Sequence, residues 1–122
     1  MQNVKLDLPH RTKGFALRIV RLYVALPKNT VAQVLGKQLL RAGTAVGAHY
    51  REAMHARSRA EFSSKMETAL QELEESRYWI DLLVEAEIVK ASRLALLTAE
   101  ATQLTAIFTS SINTTKRNSP LK

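Results

Sequence analysis

Glu52 and His55 are the pair of residues most suggestive of chemistry, because they stand three positions apart in a stretch that predicts a helix. A Glu-x-x-His step puts a carboxylate and an imidazole on one helix face, and this step supplies ligands to the metal sites of ferritin-like bundles. Such a site needs a second step, and neither His10 nor His49 is placed to supply one. We therefore expect no metal site and no cofactor.

Three glutamates, Glu72, Glu74 and Glu75, form an acidic cluster. Paired carboxylates act as an acid and a base only where their pKa values are perturbed, and no nucleophile or histidine pair accompanies this cluster. We interpret the cluster as structural, with at least one glutamate meeting Arg41 or Arg51 of the preceding helix. Glu72 with Arg41 is the favoured structural pair.

Basic residues are concentrated in the first part of the chain. Residues 1–51 carry a net charge of +8, residues 52–100 carry −4, and the whole chain carries +7. Three interpretations stay open: a surface for nucleic-acid phosphates, a surface for the acidic half of a neighbouring subunit, or solvated helix faces. The candidate nucleic-acid contacts are Lys13, Arg18, Arg21, Lys37, Arg51, Arg57 and Arg59.

The sequence contains no motif that supports catalysis. The glycines of residues 43–52 lack the Gly-Lys-Ser/Thr ending of a nucleotide-binding loop, and no nucleophile elbow is present. We therefore predict that the protein is not an enzyme. The absence of cysteine, of an N-terminal signal segment and of an apolar run of about 18 residues predicts a soluble, cytoplasmic protein without a membrane segment.

Tyr78 and Trp79 are aromatic residues in the middle of a predicted helix. Aromatic side chains stack on nucleic-acid bases, but a single pair at a mid-helix position is more typical of core or subunit packing. We favour packing.

Four amphipathic helices account for the periodicity of the apolar residues. The first is predicted from about residue 10 to Leu26, where Pro27 disfavours helix. The next two are predicted at about 30–56 and 58–86, and the fourth follows residue 91. The proposed N-terminal caps are Thr30 with Gln33, Ser58 with Glu61, and Ser92.

The predicted fold is all-α, an antiparallel up-down-up-down four-helix bundle over residues 10–114. Residues 1–9 are predicted to be a lead-in, and residues 115–122 a disordered basic tail. Three glycines fall near one line of the second helix, Gly36, Gly43 and Gly47. Because each costs roughly 1 kcal/mol relative to alanine in a helix, we expect a neighbour to pack closely against them.

Three motifs resemble a known family of small bacterial four-helix bundle proteins. They are residues 38–42, Gln-Leu-Leu-Arg-Ala; Arg57-Ser58 with Glu61-Phe62; and residues 69–74, Ala-Leu-Gln-Glu-Leu-Glu. The family includes the intervening-sequence proteins encoded within 23S ribosomal RNA genes, and it is related to the accessory variability determinant of diversity-generating retroelements. At residues 45–53 the chain departs from the Ser-Ile-Pro-Ala-Asn-Ile-Ala-Glu-Gly-like segment of the intervening-sequence members, which predicts a separate branch.

The resemblance implies a four-helix bundle that assembles into a ring, typically a pentamer, without catalytic activity. In the retroelement relative, a basic ring contacts nucleic acid and a reverse transcriptase. Two functions follow as hypotheses. The protein is either an oligomer that binds DNA or RNA non-specifically through its first two helices, or an interaction scaffold whose basic face packs on a neighbouring subunit or partner protein.

Overall fold

The computed structural model describes residues 7–118, which form four helices and contain no strand. The helices are α1 (Leu8–Ala25), α2 (Thr30–Met54), α3 (Arg59–Glu85) and α4 (Ala95–Arg117), and a short 3-10 helix, Ala91–Arg93, precedes α4. Successive helices run antiparallel, so the predicted all-α, up-down-up-down bundle is confirmed. No helix within residues 7–118 combines the length and the hydropathy that crossing a bilayer requires.

α1 begins two residues earlier than predicted, at Leu8. The side chain of Asp7 accepts a hydrogen bond from the backbone N–H of His10, and Pro9 lies in the first turn, where a helix tolerates the missing N–H. The last two residues of the predicted lead-in are therefore helical, and residues 1–6 lie outside the described range. At the other end Leu26 is extended, as expected for a residue before proline.

Of the two predicted capping boxes, only Ser58 with Glu61 forms, and Glu61 bonds the N–H of Arg57 in place of that of Ser58. Ser58 Oγ accepts a hydrogen bond from the N–H of Glu61 at 3.0 Å, and Glu61 Oε1 accepts from the N–H of Arg57 at 2.9 Å. The prediction for Thr30 is wrong, because Asn29 caps α2 by accepting from the N–H of Ala32. An asparagine side chain one residue upstream competes well for the same orphan amides.

α4 differs from the prediction at both ends. Ser92 lies in the 3-10 helix, and no side chain caps α4, which begins only at Ala95. α4 continues to Arg117, so the prediction of disorder is wrong for residues 115–117. Lys116 and Arg117 in the last turn favour this extension, because cations stabilise the carboxyl end of a helix. Residues 119–122 of the predicted tail lie outside the described range.

The core is apolar and receives residues from all four helices, including Phe15 of α1, Leu39 of α2, Leu73 of α3 and Phe108 of α4. α1 packs against the glycine line of α2, as predicted. A Cβ atom at Gly36 would lie 2.5 Å from Leu26 Cδ1, and one at Gly47 would lie 3.3 Å from Thr12 Oγ1. A Cβ at Gly43 would overlap Ile19 Cδ1. Missing side chains on α2 therefore bring the first two helices, which hold seven of the 18 lysine and arginine residues, close together.

Candidate nucleic-acid interface

The predicted structural pair of Arg41 and Glu72 is present. Arg41 Nη1 lies 3.2 Å from Glu72 Oε1, and Arg41 Nη2 lies 2.6 Å from Glu75 Oε1. The pair joins α2 to α3 at the surface, since the Arg41 side chain is 52% exposed. Two carboxylates thus neutralise Arg41, which makes it a poor ligand for a phosphate.

A second arginine of the basic half, Arg11, is also held by acceptors. Its Nε and Nη2 donate to the two oxygens of Glu100 at 2.9 and 2.7 Å, and Nη2 also donates to Gln103. The hydrogen bond to Glu100 raises the pKa of Arg11 above its usual value. Both side chains are mostly buried, at 14% and 19% exposed. This contact links α1 to α4.

The seven predicted contacts share a different property. Within residues 7–118, none of their side chains forms an ion pair with a carboxylate. Arg18 is half-buried and the other six are exposed. The structure therefore leaves these seven charges available to an external anion, whereas the cations that hold the bundle together are paired.

The structure does not gather the seven residues at one place. Lys13 lies on α1, and Lys37 and Arg51 lie on α2, all on exposed positions. Arg57 and Arg59 lie at the start of α3, where a guanidinium N–H of Arg59 donates to the backbone carbonyl of Asn118 at the end of α4. Arg18 and Arg21 belong to a third place, a groove beside the α3–α4 connection.

The basic groove, as we call it, has a volume of about 730 Å³ and separates the C-terminal half of α1 from the α3–α4 connection and the first turn of α4. Aliphatic residues form its floor: Leu22, Ile88 and Val89 are partly exposed, and Leu26, Leu94 and Leu97 belong to the buried core beneath them. Four cations line it, Arg18, Arg21, Lys90 and Arg93, and the single carboxylate among its lining residues is Glu87. No described carboxylate pairs with any of these four.

Sequence reasoning missed Lys90 and Arg93. They lie in the acidic half of the chain, where the net charge of −4 hides them. Their position between two predicted helices could have identified them, because a connection at the end of a bundle packs beside the termini of other helices.

Glu52 and His55 are engaged in protein contacts. Glu52 Oε1 lies 3.1 Å from His49 Nδ1 and 3.3 Å from Lys65 Nζ, and these hydrogen bonds, that of His49 first, lower the pKa of Glu52. His55 Nδ1 lies 2.9 Å from the carbonyl oxygen of Arg51. No group of three potential metal ligands occurs within residues 7–118.

The two aromatic residues of α3 have different environments. Trp79 packs against the core, and its indole Nε1 is buried without an acceptor among the described residues. Tyr78 is 57% exposed and meets Trp79 edge to face, with 5.0 Å between ring centroids. The packing interpretation therefore holds for Trp79, and Tyr78 faces outward. Neither residue lines the basic groove.

The comparisons with known proteins agree with this architecture. A family model described as 23S rRNA-intervening sequence protein matches residues 4–110. The chain is also similar to the crystal structure of a protein of unknown function from the S23 ribosomal protein family of Bacteroides thetaiotaomicron VPI-5482. That likeness has a TM-score of 0.79 at 36% identity and covers 86% of this chain and 97% of the other. No curated protein matches. Because the family model spans most of the chain, the protein belongs to the 23S rRNA-intervening sequence protein family.

Proposed function

We propose that this protein is a non-enzymatic oligomer that binds the nucleic-acid backbone without reading its sequence. The observation that supports the proposal is that all seven predicted contacts lack carboxylate partners within the described range, while Arg11 and Arg41 are paired. An unpaired surface cation binds a phosphate and releases its condensed counterions. The family description refers to an rRNA intervening sequence, which makes RNA the first ligand to test.

Repetition of the surface is part of this proposal. The seven cations are spread over α1, both ends of α2 and the start of α3, so a single copy offers each phosphate backbone only a few contacts at once. A ring of copies, a pentamer by the family resemblance, would present the same cations several times. Linked weak contacts raise the overall affinity because the later ones form at high effective concentration.

Binding to mixed-sequence RNA and DNA at several salt concentrations tests the proposal. We expect similar affinity for unrelated sequences and a steep, linear fall of log K with log salt concentration. Fluorescence anisotropy with labelled oligonucleotides measures both. The proposal is overturned by the absence of binding at low salt, or by tight binding that does not respond to salt.

A specific observation favours a second function, that of an interaction scaffold. The outward face of α3 carries exposed carboxylates, and two of them, Asp81 and Glu85, have no ion pair within residues 7–118. Cations on α1 and carboxylates on α3, two helices that are not packed neighbours in the bundle, suit head-to-tail contacts between subunits. On this hypothesis the cations of α1 meet a neighbouring subunit or partner protein, and not a phosphate backbone.

The double variant Arg18→Glu and Arg21→Glu separates the two functions. Light scattering gives the particle mass, and anisotropy gives the nucleic-acid affinity of the same sample. Loss of nucleic-acid binding from an intact oligomer supports the first function. Dissociation of the oligomer into smaller particles supports the scaffold.

A further inference from the structure

We propose that the basic groove binds an amphipathic helix of a partner protein, with aliphatic side chains of that helix on the groove floor and its carboxylates facing the four cations. The site lies where the C-terminal half of α1 faces the start of α4. An amphipathic helix that lays its apolar face in a groove between helices is a common mode of peptide recognition. This inference goes beyond the nucleic-acid function proposed above.

The composition of the floor favours a protein ligand. Every apolar residue of the floor is aliphatic, and none of the described residues that line the groove is aromatic. Single-stranded nucleic acid is bound mainly by stacking its bases on aromatic residues, and a duplex is held by its phosphates. The leucines of an amphipathic helix, in contrast, contribute binding free energy in proportion to the apolar area that they bury against an aliphatic surface.

The charges at the groove define the polarity of the ligand. Arg18, Arg21, Lys90 and Arg93 line it together, and Glu87 is the only carboxylate among the lining residues that fall within positions 7–118. Like charges that face one another repel, and a ligand with carboxylates on the flanks of its apolar stripe removes this repulsion. The same cations exclude basic amphipathic helices, so they provide specificity as well as attraction.

A second copy of this chain is a poor occupant. Its acidic helix is α3, but the aliphatic residues of α3 that would fill the floor, such as Leu73, Ile80 and Leu83, are buried in its own core. The outward face of α3 offers carboxylates together with the exposed Tyr78. It therefore supplies the charges that the groove needs without the aliphatic stripe, and a helix from another protein fits better.

Two groove cations allow this inference to be tested separately from the nucleic-acid function. Arg18 and Arg21 belong both to the groove and to the seven proposed nucleic-acid contacts. Lys90 and Arg93 belong to the groove alone, and both are exposed, so charge reversal there leaves the core intact. Lys13 and Lys37 are exposed and lie outside the groove, which makes them matched controls of equal charge.

The probe is a synthetic, fluorescein-labelled helical peptide with leucines along one face and glutamates on both flanks. Fluorescence anisotropy with the full chain measures its affinity. We expect Lys90→Glu with Arg93→Glu to weaken binding about tenfold or more, and Lys13→Glu with Lys37→Glu to weaken it less than about twofold, because only the first pair lies beside the bound helix. A peptide with alanine in place of leucine should bind at least about tenfold more weakly to the unchanged protein.

A charge swap completes the test. The Lys90→Glu, Arg93→Glu protein should bind a peptide with lysine in place of glutamate better than the unchanged protein does. Equal weakening by the two double variants, or unchanged binding of the alanine peptide, would show general charge attraction and overturn the inference. It is also overturned if Lys90→Glu with Arg93→Glu changes the particle mass in light scattering, or if it abolishes RNA binding while peptide binding persists. If the unchanged protein binds the peptide but no RNA, the nucleic-acid function fails and this inference stands.

Discussion

At the scale of single residues, Glu87 occupies a position that favours glycine. It follows the end of α3 with φ of 61°, and it lies in a Schellman motif in which its N–H donates to Val84 and the N–H of Ile88 donates to Leu83. A side chain in this left-handed region costs roughly 1–2 kcal/mol. We expect Glu87→Gly to raise the free energy of unfolding by about 0.5–1 kcal/mol, because the relief of this strain exceeds the extra backbone entropy that glycine loses on folding.

Urea unfolding followed by circular dichroism measures this change. Glu87→Ala is the control, since alanine removes the carboxylate but keeps the Cβ atom. The difference between the glycine and alanine variants then reports the backbone conformation alone. An alanine variant as stable as the glycine variant would contradict the structural interpretation.

A second prediction at this scale concerns the pKa of Glu52. The hydrogen bond from His49 is the largest cause of its lowered pKa, and the hydrogen bond from Lys65 is the next. We expect His49→Ala to move the pKa of Glu52 up toward its ordinary value, and by more than Lys65→Ala does. NMR titration of the Glu52 carboxyl carbon measures both shifts. A larger shift in the Lys65 variant would reverse the assigned order of causes.

The sign of the effect on stability follows from the direction of this shift. A carboxylate with a lowered pKa in the folded state stabilises the protein above its pKa in the unfolded chain, about 4.3 for glutamate. This contribution is lost as the pH falls through the lower, folded pKa of Glu52. Glu52→Gln should therefore reduce the acid dependence of unfolding below about pH 4.3.

At the scale of helices, substitution of two glycines by alanine is predicted to change the stability in opposite directions. A Cβ at Gly43 would overlap Ile19 Cδ1, whereas a Cβ at Gly14 would meet nothing within 4 Å. Both glycines lie inside helices. Gly43→Ala should lower the free energy of unfolding by about 1–3 kcal/mol through overpacking, and Gly14→Ala should raise it by about 0.5–1 kcal/mol.

Thermal unfolding of the two single variants distinguishes these effects. Gly14→Ala serves as the matched control, because it makes the same chemical change on the partner helix. Stabilisation by both substitutions would mean that α1 does not press on the glycine line of α2.

The helix ends show how far local sequence determines this fold. Ser58 caps α3 as predicted. Its hydroxyl and the N–H of Glu61 are only three residues apart, so this hydrogen bond depends on local sequence alone. At α2, Asn29 and Thr30 are both good caps, and only the backbone path decides between them. At α4 the 3-10 turn holds Ser92 away from the helix start. The sequence therefore predicts that each helix exists. The residue at which a helix begins, and the side chain that caps it, depend on the path of the preceding connection.

At the scale of the whole molecule, the candidate site was only partly predictable. The contact between Arg41 and Glu72 follows from two neighbouring helices of opposite charge, and it was predicted. The basic groove was not, because it brings Arg18 of α1 beside Arg93 of the α3–α4 connection. Such a site depends on how distant elements pack, and the sequence of either segment alone does not specify its neighbour.

Ion pairing within the bundle also predicts which cations displace the counterions of the nucleic acid when it binds. Lys37 and Arg41 lie about one turn apart on α2, both exposed, but only Arg41 is paired, with Glu72 and Glu75. Lys37→Ala should reduce the slope of log K against log salt concentration by about 0.9 for each DNA phosphate that the variant no longer neutralises. Arg41→Ala should leave the slope nearly unchanged.

The two variants alter the net charge equally, so a general effect of charge would change both slopes alike. Anisotropy titrations with mixed-sequence duplex DNA at four or more salt concentrations give the slopes, and light scattering confirms that the particle mass is preserved. A slope that falls only in the Lys37 variant assigns that residue to the phosphate contacts. A slope that falls only in the Arg41 variant would mean that Arg41 leaves its carboxylates for the phosphate backbone, and the division into paired, structural cations and unpaired, binding cations would be wrong.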